Sequence, residues 1–449
     1  MVRAHTERMR CVNPAVNAIV TDLGDEAIAF AVAADEAVDL GQPLGALHGV
    51  PVTVKENVDV KNYANPNGVP ALAHLMAPDD APVVSNLRKA GAILIGLTNT
   101  PEFSLRAFTD GPLHGLTLNP WDATITCGGS SGGAAVSVAL GVGAIAHGND
   151  IGGSLRWPAH CNGVATIRPT LGRVPAFNSS GKVERPLLAQ LLSVQGPLAR
   201  EIRDVRIALA AMSVHDARDP WWVPAPAKGP AIARPIRVAF ARMPLDMDVD
   251  PGVLGLVARA ADFLSDAGYH VEEIEVPDLN EVWQLWADVV IGEVEYLLEH
   301  DMQAVTSGDF RQVLRGYKAM SNRLDITRYM NCIAMRSRFL RNWLQFLEIW
   351  PIVLTPVTVQ PTPAPRADLE GDARVRALFR NDLRFTSTMN VLGLPAAVVP
   401  VGLHREHPVG VQIVASRYRE DLCLDAAQTI ERRAGVLTRI LWKRSPQMK

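Results

Sequence analysis

Two glycine-rich loops that carry serines lie close together in the sequence. The first is Cys127-Gly-Gly-Ser-Ser-Gly-Gly133, and the second is Asn149-Asp-Ile-Gly-Gly-Ser-Leu-Arg-Trp-Pro158. Glycines let the backbone turn sharply and aim successive N–H groups inward, so such loops can cradle a phosphate or stabilise an oxyanion. Either loop alone also fits an ordinary tight turn, so the choice between these alternatives depends on the neighbouring residues.

Two nucleotide-binding patterns fail on those neighbours. A phosphate-binding P-loop needs a lysine directly after its last glycine, and Ala134 follows here. Residues 141–146 match G-x-G-x-x-A, but a predicted strand runs through them and no acidic residue follows at the required distance. The sequence therefore does not favour a nucleotide site at either position.

A nucleophile elbow is a further hypothesis for the first loop. Its pattern, G-x-S-x-G, is matched around Ser130 and again one residue later around Ser131. His404 lies downstream and is available as the base. Five-residue matches arise easily in a glycine-rich stretch, so this hypothesis stays as the alternative to the one that follows.

Taken together with Lys55, the two loops resemble the amidase signature family. Residues 128–159 carry the pattern of that family: Gly-Gly-Ser-Ser-Gly-Gly, a stretch of small apolar residues, and Asp-Ile-Gly-Gly-Ser-Leu-Arg-Trp-Pro. Other segments resemble the lysine strand, the mid-chain segment, the late strand and the closing region of the family, at residues 49–57, 196–200, 354–356, 390–396 and 408–412. The resemblance covers nearly the full chain and implies an amidase that cleaves linear amide C–N bonds.

The resemblance implies a Ser-Ser-Lys triad, with Ser154 as the nucleophile, Ser130 as the bridge and Lys55 as the base. The spacing fits, because Lys55 precedes Ser130 by 75 residues and Ser130 precedes Ser154 by 24. A serine hydroxyl is a weak nucleophile until a base takes its proton, and neither loop contains a histidine. A free lysine has a pKa of about 10.4, so it serves as a base near neutral pH only where burial lowers that value. We therefore expect a dry pocket around the amine.

The same resemblance implies the surroundings of the triad. The peptide bond before Ser130 is expected to be cis, and the backbone N–H groups of Ile151, Gly152 and Gly153 are expected to form the oxyanion hole. The acyl group then rests on Ser154 until water removes it.

Supporting roles are expected for several neighbours. Asp150 and Arg156 are predicted to brace the second loop through hydrogen bonds, and Ser131 to support the triad. Ser104 and Leu105 fall where members of the family commonly line the substrate cleft.

Other conspicuous side chains receive structural interpretations. Cys127 is interpreted as a small buried hydrophobe rather than a nucleophile. His404 and His407 have a two-ligand spacing without a third ligand, which favours a solvated loop over a metal site. Trp283 and Trp286 are interpreted as core residues in preference to walls of an acyl pocket. The predicted chemistry requires no metal or organic cofactor.

Departures from the family pattern are few. Asn149 stands where the family usually has a small hydroxyl residue, and Cys127 stands where proline or alanine is frequent. Residues 2–20 resemble the end of the opening helical region of the family, so the first turns of that region are expected to be missing from this sequence.

The triad needs rigid elements to hold it, and the sequence alternates between helical and strand patterns. Predicted helices span residues 25–40, 82–90, 132–140, 201–212, 252–267, 281–300 and 326–349. Predicted strands span residues 49–57, 92–97, 142–146, 236–241, 350–356, 396–401 and 410–414.

The resemblance implies a single α/β domain, residues 1–449, with a large mixed β-sheet surrounded by helices. The expected parts are a signature core at about 45–200, a variable helical and substrate region at about 201–350, and closing strands and a helix at about 351–440.

The composition limits which classes of protein this chain can belong to. The 449 residues, 48% apolar and 20% charged, supply enough material for a large core. The 44 basic and 47 acidic residues nearly balance, so no strong field recruits nucleic acid or anionic membrane. The longest run of small uncharged residues, 134–146, is shorter than the roughly 20 residues that span a bilayer. Five cysteines without close pairs indicate a reducing compartment, so we predict a cytoplasmic protein.

The expected function is a stand-alone amidase that hydrolyses a small aliphatic or aryl amide to the acid and ammonia or an amine. Its expected partner is the small-molecule substrate, and a homodimer is compatible with that expectation. One alternative is the ammonia-supplying component of a glutamyl-tRNA amidotransferase, its A subunit, which releases ammonia from glutamine for a partner. Another is a catalytically silent homologue that acts as a binding protein; the joint presence of Lys55, Ser130 and Ser154 argues against it.

Overall fold

The computed structural model of the chain describes residues 1–444. Within this range one mixed sheet of eleven strands runs through the molecule, and helices pack around it. Over the same residues, no helix is both long enough and apolar enough to cross a membrane. The predicted mixed sheet surrounded by helices is confirmed.

The strands, in chain order, are β1 (Ile19–Asp22), β2 (Pro51–Lys55), β3 (Ile93–Thr98), β4 (Ile145–Asp150), β5 (Ala165–Arg168), β6 (Val194–Ala199), β7 (Arg237–Ala241), β8 (His270–Ile274), β9 (Ile352–Pro356), β10 (Ala396–His404) and β11 (His407–Ala415). The helices are α1 (Val2–Val16), α2 (Gly24–Asp39), α3 (Pro82–Lys89), α4 (Gly132–Ala139), α5 (Arg156–Asn162), α6 (Leu187–Leu192), α7 (Ile202–Met212), α8 (Pro251–Asp266), α9 (Leu279–Glu293), α10 (Glu299–Val305), α11 (Gly308–Lys318), α12 (Ile326–Ile349), α13 (Asp372–Ala377), α14 (Arg384–Leu392), α15 (Glu420–Ala434) and α16 (Thr438–Arg444).

The strand order across the sheet is β1-β3-β2-β4-β6-β5-β10-β11-β9-β7-β8. Strand β2 pairs in parallel with both β3 and β4, whereas the run from β4 through β6, β5 and β10 to β11 is antiparallel. All residues of β2 and β3 are buried, which explains the aliphatic residues on both faces of β3 and at Val52 and Val54 of β2. This buried parallel set has its carboxyl ends at one edge of the sheet.

One strand prediction is wrong in its position. Residues 142–146 were expected to form the strand after α4, but β4 begins at Ile145 and continues to Asp150. The chain first turns at Gly141, which has φ of +74°. Beyond Ala146 the residues are polar, so the hydrophobic pattern stops there, while pairing with β6 continues as far as Asp150 opposite Val194. The start of the second glycine loop is therefore part of a strand.

One helix prediction is divided in the structure. Residues 281–300 were expected to form a single helix, but α9 ends at Glu293 and a π-helical turn at Val294–Leu298 leads into α10. Helix α9 is buried along most of its length and packs against α14. Trp286 of α9 thereby lies against the second glycine loop.

Candidate active site

The sheet places the predicted base and the second glycine loop at one edge. Lys55 is the last residue of β2, and Asp150 is the last residue of its parallel neighbour β4. The carboxyl ends of neighbouring parallel strands meet at the same edge of a sheet, which is where open α/β sheets commonly bind ligands. The first glycine loop leads into α4 beside them, and Ser131 N–H donates to the Ser154 carbonyl oxygen at 3.3 Å. The two loops are thus in direct contact.

Lys55 is completely buried, with 0% of its surface exposed. Its Nζ lies 2.7 Å from Ser130 Oγ, 3.2 Å from Ser131 Oγ and 2.8 Å from Asn149 Oδ1. Burial lowers the pKa of Lys55 well below its ordinary value, against the opposing charges of Asp150 and Glu56. The expected dry pocket around the amine is present.

The three contacts fit a neutral amine with its lone pair on Ser130. Asn149 Oδ1 has no hydrogen, so Lys55 must donate to it. Ser131 Oγ lies 3.3 Å from the Asn149 carbonyl oxygen and donates to it, so Ser131 accepts the second N–H of the amine. The remaining position on nitrogen faces Ser130 Oγ. An amine in this geometry can accept the Ser130 proton.

The Gly129–Ser130 peptide bond is cis, as the family resemblance implies. Gly129 is held so tightly that a Cβ at this position would lie 2.6 Å from the backbone nitrogen of Phe108. Only glycine fits there. The backbone leading into Ser130 is therefore fixed by packing against residues 106–108.

Ser154 is the part of the predicted triad that reaches open space. It is half-buried, whereas Lys55 and Ser130 are buried. Its hydroxyl makes no hydrogen bond with any residue in 1–444, including Ser130. Catalytic hydrogen bonds are often long in enzymes without substrate and shorten in the substrate complex. A relay through both serines requires that contact to form.

The backbone N–H groups of the second loop differ in their availability. Gly153 N–H donates to Asp150 Oδ1 at 2.8 Å. The N–H groups of Ile151, Gly152 and Ser154 find no acceptor in the described part of the chain. Unpaired N–H groups beside a nucleophile are the donors that an oxyanion hole needs. Of the predicted set, Ile151 and Gly152 are free to face a substrate, and Gly153 is engaged by the carboxylate.

Asp150 and Arg156 hold the second loop in place through an ion pair and hydrogen bonds to its backbone. Arg156 Nη2 lies 2.9 Å from Asp150 Oδ1, and both side chains have 0% exposure. Asp150 Oδ2 also accepts from the N–H of Leu155 at 3.1 Å. Burial alone would raise the pKa of Asp150, but the charge and hydrogen bonds of Arg156 hold it below its ordinary value. The carboxylate stays ionised and fixes the loop backbone.

Sequence reasoning missed the residues that hold Arg156 in turn. Arg156 Nη1 donates to the Thr386 carbonyl oxygen and to Gln412 Oε1, each at 2.6 Å, and Nη2 donates to Asn390 Oδ1 at 2.7 Å. Asn390 and Gln412 belong to the closing segments that resemble the family, so the sequence did single out these segments. It did not indicate that these two side chains bind Arg156. These contacts anchor the loop to α14 and β11.

A second amide pair extends the network around Lys55. Asn149 Nδ2 donates to Asn57 Oδ1 at 2.8 Å, and Asn57 Nδ2 donates to Ser104 Oγ at 2.9 Å. Ser104 Oγ donates to Asn67 Oδ1 at 2.7 Å. This chain of donors fixes which way the amide of Asn149 points, with its oxygen toward Lys55.

Two cavities meet at Ser154. The inner cavity has mostly apolar walls that include Trp157, Trp286, Phe310, Leu314, Tyr317 and Phe379. The outer cavity is bordered by several amide side chains, Asn57, Asn67, Asn149, Asn178 and Gln195, together with apolar ones that include Phe103, Val294, Leu298 and Met302. Ser104, Leu105 and Ile151 line both cavities, as Ser154 does. The aromatic side chains are concentrated on the inner cavity, and the amide side chains on the outer one.

Trp283 and Trp286 have different roles. Both are buried, as predicted, but only Trp286 lines the inner cavity. The ring of Trp286 stacks on Phe379, with centroids 5.2 Å apart and an interplanar angle of 17°. Trp283 is thus a core residue, as interpreted, whereas Trp286 is a core residue that also lines the inner cavity.

The remaining sequence candidates lie away from the triad chemistry. His404 lies beside Asp250, at 3.1 Å, and His407 beside Asp122, also at 3.1 Å, so neither histidine serves Ser130 as the base that the nucleophile-elbow hypothesis requires. Burial raises the pKa of the Cys127 thiol to about 12, which keeps it protonated. Within residues 1–444 no cluster of three or more His, Cys, Asp or Glu side chains is arranged to hold a metal ion.

Comparisons with known proteins agree with this geometry. The family model described as Amidase matches residues 1–424. An indoleacetamide hydrolase of Bradyrhizobium diazoefficiens is 60% identical over 442 residues, which cover 98% of this chain and 84% of that protein. A glutamyl-tRNA(Gln) amidotransferase chain of Deinococcus radiodurans, its A subunit, is 31% identical over 446 residues, covering 93% of this chain and 90% of that protein. The solved structure of 6-aminohexanoate cyclic dimer hydrolase with its substrate has a TM-score of 0.79 and 25% identity, covering 96% of this chain and 93% of that one.

Proposed function

Because this chain belongs to the amidase family and is an amidase that acts on carboxylic amides, we propose that its substrate is a primary arylacetamide. The products are the arylacetic acid and ammonia. The observation that carries the proposal is the inner cavity, whose aromatic walls begin beside Ser154. The name of the indoleacetamide hydrolase at 60% identity supports an indole or similar ring as the occupant.

The aromatic walls of the inner cavity support one orientation of the substrate. The aryl ring packs in the inner cavity, where Trp286 and Phe379 offer flat apolar surfaces. The one-carbon link of an arylacetamide places the carbonyl carbon at Ser154. The amide nitrogen then faces the outer cavity, where Ser130 and Asn149 lie.

The first step is attack on the carbonyl carbon. Lys55, whose pKa burial lowers, accepts the Ser130 proton in its neutral form while Ser130 accepts the Ser154 proton, and Ser154 Oγ forms the new C–O bond. The carbonyl electron pair moves to oxygen. The free N–H groups of Ile151 and Gly152, with that of Ser154, stabilise this oxyanion, and Gly153 contributes by keeping the loop on Asp150.

The second step breaks the C–N bond. The oxyanion collapses, Ser130 donates a proton to the leaving nitrogen, and the Lys55 ammonium returns a proton to Ser130. Ammonia departs and the acyl group stays on Ser154. Water then attacks the ester through the same relay, releases the arylacetate and restores the Ser154 hydroxyl.

The experiment is hydrolysis by the purified chain without any partner protein. Indole-3-acetamide, phenylacetamide, propionamide and L-glutamine are compared by ammonia release. We expect arylacetamides to exceed propionamide in kcat/KM by at least about tenfold, since apolar pocket contacts contribute factors of that size. Preference for glutamine would favour the amidotransferase alternative instead. Failure of a fluorophosphonate to label Ser154, together with no hydrolysis, would favour the silent homologue.

Two expectations about the surroundings of the protein stay as predictions. A cytoplasmic location follows from the cysteine pattern and is tested by fractionation of the native host. A homodimer is tested by light scattering of the purified chain.

A further inference from the structure

The indole of Trp286 is bonded to the backbone of the second glycine loop. Its Nε1–H donates to the Ile151 carbonyl oxygen at 2.8 Å. The indole is 4% exposed and stacks on Phe379, so the ring has little freedom to move. A side chain from α9 therefore holds one peptide group of the loop in place.

That peptide group contains a free N–H. The Ile151–Gly152 peptide bond is trans, and in a trans peptide the carbonyl oxygen and the next N–H point in opposite directions. Because Trp286 holds the Ile151 carbonyl oxygen, the Gly152 N–H points away from the indole. No acceptor in residues 1–444 takes this N–H.

The packing also explains why residue 152 is glycine. A Cβ there would lie 2.6 Å from Trp286 Cζ2, a separation that carbon atoms do not reach without displacement. The indole thus lies directly against the loop backbone. A smaller ring at position 286 would leave space here, and the peptide could rotate.

We propose that Trp286 is a positioning residue for the oxyanion hole, which aims the Gly152 N–H at the substrate carbonyl through its hydrogen bond to Ile151. The inference rests on the proposed function, since it assigns the oxyanion to this loop. The indole has two separable roles. Its face forms part of the inner cavity wall, and its N–H fixes the geometry of an oxyanion donor.

The test removes the N–H and keeps the ring. Trp286 is replaced by 3-benzothienylalanine, in which sulfur takes the place of Nε1–H, by nonsense suppression. The matched control is the same replacement at Trp283, which lies on the same helix, is also 4% exposed, and has an Nε1 without a partner among the described residues. Both variants are assayed on phenylacetamide and on propionamide, whose short acyl chain lacks a ring.

We expect the replacement at Trp286 to lower kcat on both amides by on the order of tenfold to a hundredfold, with KM nearly unchanged. The replacement at Trp283 is expected to change neither kcat nor KM by more than about twofold on either amide. A loss that appears only as a higher KM for phenylacetamide would overturn the proposal, because it would make Trp286 a cavity wall alone. Equal losses at both positions would overturn it as well.

Two further measurements keep the inference separate from folding and from the proposed function. If the benzothienyl variant does not accumulate, Trp286→Phe also lacks the N–H and must show the same loss on propionamide. The wild-type rates alone test the proposed function, whereas the ratio of variant to wild type tests Trp286. A wild type that hydrolyses neither amide would overturn both.

Discussion

Asn149 Oδ1 lies 2.8 Å from Lys55 Nζ and accepts a hydrogen bond from this buried amine. Asn149 stands where the amidase signature family usually has a small hydroxyl residue. Its amide is held by Asn57, so the oxygen cannot turn away from Lys55 without breaking a second hydrogen bond. The neutral amide satisfies one N–H of the amine without adding a charge that would favour the ammonium form.

Asn149→Asp is expected to shift the pH profile of kcat/KM. A carboxylate beside Lys55 favours the ammonium, so it raises the pKa of the base by about one to three units. Activity rises with pH as Lys55 loses its proton, so the rising limb moves to higher pH by the same amount. The measurement is kcat/KM on an arylacetamide from pH 5.5 to 10.5.

The control for this shift is the same change of charge at an exposed position. Gln42 is exposed in the segment that follows α2, and Gln42→Glu is expected to leave the rising limb of the profile where it is. Asn149→Ser keeps an oxygen near the amine and is expected to retain a limb close to that of the wild type. An unshifted limb in Asn149→Asp would show that Lys55 does not govern the profile.

Lys55→Ala and Ser154→Ala are each expected to lower kcat by at least about 10⁴-fold, because each removes a member of a catalytic unit. His404→Ala is expected to stay within about twofold, since His404 lies beside Asp250 at the start of α8. Ammonia release by the three purified variants is the measurement, with circular dichroism to confirm folding. A reversed order of effects would restore the nucleophile-elbow hypothesis.

At pH values below the ordinary pKa of lysine, burial of Lys55 is expected to lower the free energy of unfolding. The pKa of Lys55 is lowered in the folded chain, so between that value and about 10.4 the unfolded chain binds more protons, and stability rises with pH. Lys55→Met removes this penalty and is expected to stabilise the chain near neutral pH by about 0.5–2 kcal/mol. Denaturant unfolding at several pH values measures it. A gain over the wild type that grows with pH, instead of shrinking, would contradict the buried neutral amine.

Arg156→Ala is expected to destabilise the chain by about 3–5 kcal/mol, because Asp150 loses its ion pair in a dry site. Arg10→Ala is the control: its contact with Asp22 is 2.7 Å long but 48% of the Arg10 side chain is exposed. Exposed pairs contribute little to stability because solvent screens them. Urea unfolding of both variants gives the comparison, and equal losses would mean that burial of the pair is unimportant.

Leu314→Phe is expected to fill part of the inner cavity. Overpacking costs about 1–3 kcal/mol, so kcat/KM for indole-3-acetamide falls on the order of tenfold to a hundredfold, whereas propionamide is hydrolysed nearly as before. Leu297→Phe, at a residue 61% exposed and outside this cavity, is the matched control. Equal losses on both amides would place the aryl group elsewhere.

Local pattern was enough for most of the elements that it predicted, but it left strands β1, β5, β6 and β8 and several short helices unpredicted. The buried strands β2 and β3 were predicted within two residues at each end. Strand β4 was placed too early, because its second half is His147-Gly-Asn-Asp, which has no hydrophobic period and is held by pairing with β6. Position in a sheet depends on a partner strand that the local sequence does not identify.

The candidate triad was identified from the sequence alone, because the two glycine loops and the lysine strand resemble the amidase signature family. Whether the Lys55 amine is dry, what it donates to, and which N–H groups are free are properties of packing. Trp286 reaches Ile151 across 135 residues of chain, and Arg156 reaches Gln412 across 256. Such contacts form only after distant elements condense on the sheet, so the tertiary structure alone decided them.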